Sequence, residues 1–120
     1  AIKEKWKKEN VKSFFVKGKI FNIRINEIRY IESNKRIITI HEQDINRNIY
    51  TKLNDIAKKL PKHFVRCHQS YIVNLEKVRE LNSHEVILHS GEVIPVSQAK
   101  YKQTKEMFIK YLGEGIWNIY

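Results

Sequence analysis

The sequence of 120 residues has little cysteine, proline or glycine: one, two and four residues, respectively. The single cysteine, Cys67, cannot form an internal disulfide, so we expect a reducing, cytoplasmic setting. No run of about 18 apolar residues is present, which excludes a membrane-spanning helix. The first eight residues lack the apolar core of a signal peptide, so none is expected. Without a Pro-rich or Gly-rich linker, the length fits one ordinary domain.

Acidic residues are also scarce compared with basic ones. Lysine and arginine number 23 against 13 aspartates and glutamates, giving a formal net charge of +10 and a pI of about 9.7. A charge of this size on a small domain attracts polyanions. Nucleic acid is the first candidate and an anionic membrane surface the second, while charge alone also permits a basic surface without a ligand.

Most of the sequence consists of short alternating segments separated by polar turns. In residues 20–26, isoleucine and phenylalanine alternate with asparagine and arginine, as in a strand with one buried face. The β-branched run at 37–40 predicts a buried strand. Pro95 places the segment 93–96 at a sheet edge, because proline cannot donate to a ladder. The pattern predicts a mostly β fold.

Two segments have helical spacing instead. Residues 53–60 carry apolar side chains at i, i+3, i+4 and i+7, which predicts a short helix ended by Pro61. Ser97 is a good N-cap for a C-terminal helix that Gly113 can close in the left-handed conformation. The apolar stripe of this second helix consists of Tyr101, Thr104, Phe108 and Leu112. Lysines flank the stripe, so the helix either covers the sheets or forms a basic docking surface for a membrane or a protein.

Three polar patches interrupt the apolar pattern, at residues 33–36, 66–70 and 97–102. Lysine and arginine can donate to guanine O6 and N7, and glutamine can bind adenine through two hydrogen bonds. A helix-turn-helix needs two adjacent helices, which this sequence does not predict. Zinc-finger, basic-zipper and RNA-recognition signatures are absent too. We therefore expect loops, rather than a helix, to contact a DNA groove.

Four motifs follow one another in the sequence. The segment FVRCHQSYIVN occupies positions 64–74, and three further segments occupy 14–17, 28–33 and 88–97. Together they resemble the LytTR family of DNA-binding output domains. The first fits the family signature F-x-R-x-H-x-S-x-x-x-N, and the others are similar to the family's opening, its I-x-Y-I-E-S segment and its L-x-x-G-x-x-x-P-V-S segment. The resemblance covers roughly residues 13–108.

The resemblance implies an elongated fold of about ten short strands in small antiparallel sheets, with a short middle helix and a C-terminal helix. It implies sequence-specific binding of double-stranded DNA, at paired short repeats, by a response-regulator output domain in bacteria. Loops would enter two successive major grooves and the minor groove between them. We therefore expect an N-terminal arm or linker at 1–12, a LytTR-type domain at 13–112 and a C-terminal tail at 113–120. A trimmed regulator with an N-terminal receiver domain and a stand-alone domain both fit.

The resemblance also implies contact positions in this chain. The shortened loop after the I-E-S segment makes Lys35 or Arg36 a base contact, and the position after the signature histidine is Gln69. The full set of predicted DNA-binding residues is Asn34, Lys35, Arg36, Arg66, His68, Gln69, Gln98, Lys100 and Lys102.

Gln98 departs from the family pattern. The family often has arginine after the P-V-S serine, where it reaches the minor groove, and glutamine lacks the charge that a narrow groove attracts. Lys100 or Lys102 could take over part of that role.

Two of these residues have structural alternatives. Arg66 contacts a phosphate or forms a salt bridge with Glu32 or Asp55. His68 contacts DNA or holds its loop by hydrogen bonds. The side chains predicted to brace this loop are Ser70 and Asn74.

Cys67 beside His68 raises the hypothesis of a hydrolase. Adjacent residues in a strand point to opposite faces, and no third orienting group is recognisable, so we predict a buried cysteine and no enzyme. The five histidines lack metal-ligand spacing, so neither a metal nor a cofactor is expected.

Overall fold

The computed structural model describes residues 11–119, so most of the predicted arm at 1–12 and the last residue of the predicted tail lie outside the described part. Within it the chain forms ten strands, two α-helices and three short 3₁₀ turns. Two compact units meet in the sequence between Leu60 and Pro61. We call them the N-terminal unit, residues 11–60, and the C-terminal unit, residues 61–119.

The N-terminal unit contains five strands and the short helix. Their bounds are β1 Val11–Val16, β2 Lys19–Arg24, β3 Tyr30–Asn34, β4 Ile37–His41, β5 Asn46–Tyr50 and α1 Leu53–Ala57. Strands β1 and β2 form an antiparallel hairpin, and β4 pairs antiparallel with both β3 and β5. The β1–β2 turn consists of Lys17 and Gly18 with φ of 49° and 79°, as a two-residue type I′ turn requires.

Isoleucines dominate the core of the N-terminal unit. Ile38 and Ile40 are fully buried, which confirms the predicted buried strand, whereas Ile37 at its start is 44% exposed. The helix predicted over 53–60 is shorter than expected. It ends at Ala57, and the next residues continue with bonds between positions i and i+3, from Lys59 N to Ile56 O and from Leu60 N to Ala57 O.

The C-terminal unit contains the other five strands and the long helix. Their bounds are β6 Phe64–His68, β7 Tyr71–Asn74, β8 Val78–Leu81, β9 Glu85–Leu88, β10 Val93–Pro95 and α2 Gln98–Leu112. Strands β6 and β7 form an antiparallel hairpin. A second antiparallel sheet has the order β10-β9-β8, with the proline-containing strand at its edge as predicted.

Helix α2 packs on β6 but buries less of its stripe than the sequence predicts. Thr104 is fully buried and its Oγ1 donates to Lys100 O at 2.8 Å, whereas Leu112 is 41% exposed. Ser97 is the N-cap residue, yet its side chain makes no capping hydrogen bond. Gly113 ends the helix with φ 62° and ψ −127°, a glycine conformation outside the predicted left-handed helical region.

The predicted mostly β fold is therefore confirmed, with small antiparallel sheets, a short middle helix and a C-terminal helix. Neither helix in residues 11–119 is long and apolar enough to cross a membrane.

Candidate nucleic-acid interface

The β6–β7 turn is a two-residue connection formed by Gln69 and Ser70. The guanidinium of Arg66 holds it: Nε donates to His68 O at 3.2 Å and Nη2 donates to Gln69 O at 2.5 Å. Burial lowers the pKa of this guanidinium, which arginine tolerates while staying charged. Strand alternation puts Arg66 and His68 on one face, but the sequence did not reveal these bonds to the turn. Gln69 itself is exposed at the tip.

His68 has a structural role in this turn. Its Nδ1 accepts a hydrogen bond from Ser70 N at 3.0 Å, and its ring meets the Tyr71 ring edge-on at 5.5 Å. An accepting Nδ1 carries no proton in the neutral ring, so the proton resides on Nε2, which is then a donor. The loop-holding alternative for His68 is thus present in the structure, and a donor atom remains on the same ring.

Cys67 is fully buried between these two half-buried side chains. Its Sγ donates to Pro95 O at 3.6 Å, and burial raises the pKa of the thiol to about 12. A thiol with so high a pKa holds almost no thiolate at neutral pH, and the thiolate is the nucleophile. The predicted buried cysteine is confirmed.

The start of α2 is joined to strand β6. Ser97 N donates to Cys67 O at 3.0 Å, directly before Gln98 begins the helix. Gln98 and Lys102 are exposed there, and Lys100 is half-buried. Because Cys67 lies two residues before Gln69, this bond brings the polar patches at 66–70 and 97–102 to neighbouring places in the C-terminal unit.

The patch at 33–36 belongs to the N-terminal unit. Asn34 is the last residue of β3 and pairs with Ile37, so the loop consists of Lys35 and Arg36 alone. Both side chains are exposed. Lys35 has a φ of 60°, an uncommon conformation for a residue with a side chain. Strand register thus places both cationic residues at the tip of the turn.

Other polar residues of the sequence analysis are structural. Asn74 is completely buried and its Oδ1 accepts from Glu76 N at 3.0 Å, a bond that caps the 3₁₀ turn at 75–77 and not the β6–β7 turn. Glu32, considered as a partner for Arg66, pairs with Nε2 of His41 at 2.7 Å.

Over residues 11–119, no three His, Cys, Asp or Glu side chains are grouped as metal ligands would be.

Comparison with known protein families identifies the family of this chain. The profile of the LytTr DNA-binding domain matches residues 18–109. The chain belongs to the LytTr DNA-binding domain family.

Several curated relatives resemble this LytTr domain. An uncharacterized response regulatory protein of Yersinia pestis is 35% identical over 96 residues, which are 74% of this chain and 39% of that protein. Transcriptional regulatory protein YpdB of Escherichia coli (strain K12) is 30% identical over 90 residues, 69% of this chain and 37% of the relative. Sensory transduction protein LytT of Enterococcus faecalis is 30% identical over 94 residues, which are 73% of this chain and 39% of that protein. The chain therefore spans less than two fifths of these relatives.

A solved LytTr DNA-binding domain from Bacillus cereus has the same fold. The two superimpose with a TM-score of 0.69 at 21% sequence identity, covering 82% of this chain and 95% of the other. The family and the fold expected from the four motifs are thus confirmed. DNA binding is the function of the family, and nothing in the comparisons favours the docking module based on α2.

Proposed function

We propose that this LytTr domain binds double-stranded DNA at specific sequences, as the cytoplasmic output domain of a bacterial transcription regulator. The relatives named as response regulatory or transcriptional regulatory proteins support this role. Because the chain spans only 37–39% of three of these relatives, we also propose a receiver domain in the remainder of the full-length protein. The domain itself would act by binding and not by catalysis.

The hydrogen bond between Ser97 and Cys67 is the observation that carries the proposal. It joins the strand that leads into the β6–β7 turn to the start of α2, so that the two form one polar edge with Gln69 and Gln98 both exposed. A protein that reads bases must hold its donors and acceptors in fixed positions, because the hydrogen-bond pattern of a base pair is geometric. The bonds from Arg66 to the turn serve the same purpose.

Each residue then has a distinct role. Gln69 reads a base edge in the major groove, and its amide suits adenine. Gln98, with Lys100 two residues later in the first turn of α2, contacts the minor groove, where a neutral amide discriminates less by groove width than arginine does. Lys102 and Nε2 of His68 contact phosphates, and Arg66 is a positioning residue.

The turn at Lys35 and Arg36 would supply the contacts from the N-terminal unit, and Asn34 would assist them from the end of β3. Their exposure at a two-residue tip and their charge support this role. Either side chain can donate to guanine O6 and N7.

A selection from a random duplex pool, at near-physiological salt, tests the proposal. We expect enrichment of a short motif, repeated about one helical turn apart, because paired half-sites follow the helical repeat. The matched control is the same selection with Gln69→Ala, which should lose preference at one position of the motif. Binding that falls steeply with salt but enriches no motif would contradict sequence-specific recognition, and absence of binding would contradict the DNA-binding role itself.

A further inference from the structure

A lysine and a tyrosine far apart in the sequence meet at the surface of the N-terminal unit. The Nζ atom of Lys17 lies 3.8 Å from the centroid of the Tyr50 ring, a cation–π contact. Lys17 belongs to the β1–β2 turn and has a φ of 49°. In the described part of the chain, Lys17 and Lys35 are the non-glycine residues with positive φ. The ring contact places this ammonium group over Tyr50.

The same tyrosine lines an open hollow beside the β3–β4 turn. The hollow has a volume of about 420 Å³ and is lined by Asn34, Lys35, Arg36, Ile37 and Tyr50. Ile37 and Tyr50 face each other across β4 and β5 and are 44% and 42% exposed. Its floor is therefore apolar and its rim is cationic, and no carboxylate lines it.

We propose that this hollow, together with Lys17, is a docking site for the sugar–phosphate backbone of DNA. A deoxyribose would rest on Ile37 and Tyr50 while the ammonium group of Lys17 binds the adjacent phosphate. The proposal rests on the proposed function and adds to its contact surface three residues outside the polar patches, namely Lys17, Ile37 and Tyr50.

The chemistry favours the backbone over a base edge. The ammonium group of Lys17 is a compact point charge beside the Tyr50 ring, which suits a single phosphate. The DNA backbone alternates an apolar sugar with an anionic phosphate, which matches an apolar floor beside cationic side chains. Because contacts with the backbone carry no base information, Lys17, Ile37 and Tyr50 would position the domain on any duplex, while Lys35 and Arg36 on the rim keep their proposed base contacts.

The test compares variants of the whole 120-residue chain. Fluorescence anisotropy would measure affinity for a selected duplex and for a scrambled duplex over a series of KCl concentrations. The variants are Lys17→Gln and Tyr50→Leu, with Tyr50→Phe retaining the aromatic face. Lys58→Gln is the matched control, because Lys58 is an exposed lysine of the same unit that does not line the hollow.

Lys17→Gln should weaken binding to both duplexes by a similar factor of about five, and should lower the salt slope by about one. Tyr50→Leu should weaken binding in the same uniform way, whereas Tyr50→Phe should stay within about twofold of the wild type, since phenylalanine also binds cations. Lys58→Gln should leave the slope nearly unchanged. Both Lys17 and Tyr50 lie at the surface, so thermal unfolding should show intact folds.

Equal losses for Lys17→Gln and Lys58→Gln would overturn the docking site, because only the net charge would then matter. If the wild-type chain still enriched a DNA motif in that case, the proposed function would stand without the docking site. Failure of the wild-type chain to bind any duplex would overturn both.

Discussion

The backbone amide of Ser97 donates to the carbonyl oxygen of Cys67 at 3.0 Å. This single bond ties the residue before α2 to the strand that ends at the β6–β7 turn. The thiol of the same cysteine donates to Pro95 O, so Cys67 anchors the segment entering the helix at two points. Two patches that sequence analysis treated separately thus form one edge, and the predictions below test how that edge works.

Replacement of Gln69 by alanine should relax base preference at one position. The amide would no longer form its pair of hydrogen bonds to a base, which costs about 1–3 kcal/mol of discrimination. Affinities for duplexes substituted at each position of the selected motif would measure it. Affinity for a scrambled duplex is the control and should hardly change, and a uniform loss on all duplexes would contradict base reading by Gln69.

Lys102→Ala should weaken binding without changing base preference. Removal of one phosphate contact should weaken all duplexes by a similar factor and should reduce the salt slope by about one. Lys105→Ala is the matched control, since Lys105 is an exposed lysine on the same helix but farther from its start. A changed base preference in the Lys102 variant would show that this lysine reads bases instead.

His68→Phe should loosen the β6–β7 turn. Phenylalanine cannot accept the hydrogen bond from Ser70 N, which would lower the free energy of unfolding by about 1 kcal/mol and weaken specific binding. His68→Asn keeps an acceptor near the position of Nδ1, so it should retain more of the stability and more of the specific binding than His68→Phe does. Urea unfolding and duplex binding would measure the two effects. Equal behaviour of the two variants would argue against a role for this hydrogen bond.

Cys67 should resist alkylation in the folded domain at neutral pH. Burial raises the pKa of its thiol to about 12, whereas the unfolded chain should expose a thiol near the ordinary value of 9.0. Iodoacetamide should therefore label the chain in denaturant and hardly at all without it, as mass spectrometry would show. Rapid labelling of the folded domain would contradict this assignment.

The same pKa difference predicts a loss of stability in alkali. Between pH 9.0 and about 12 the folded state keeps the thiol proton that the unfolded state releases, so the free energy of unfolding falls as pH rises. Below pH 9.0 this contribution is fully present. Cys67→Ala should show a flatter alkaline profile in urea titrations, after allowance for the smaller side chain. An unchanged slope would mean that other groups cause the alkaline loss.

Local pattern was sufficient for much of the fold. The β-branched run at 37–40 and the proline at 95 predicted a buried strand and an edge strand, since burial alternation and the missing amide of proline act within a few residues. Helix lengths were less predictable. Residues 58–60 form a turn instead of continuing the helix, and Leu112 at the end of α2 is exposed. Periodicity in the sequence does not show where the packing partner of a helix ends, and the partner decides how much of the helix is buried.

The sequence by itself determined the family, the mostly β class and the residue types offered to DNA, because the motifs, the alternation and the net charge are properties of the linear chain. Only tertiary structure decided which of these residues come together. Strand register reduced the loop after Asn34 to Lys35 and Arg36, and the bond from Ser97 to Cys67 joined two distant patches. The contact of Lys17 with Tyr50 likewise depends on how the β1–β2 hairpin packs, since it joins side chains that no local pattern relates.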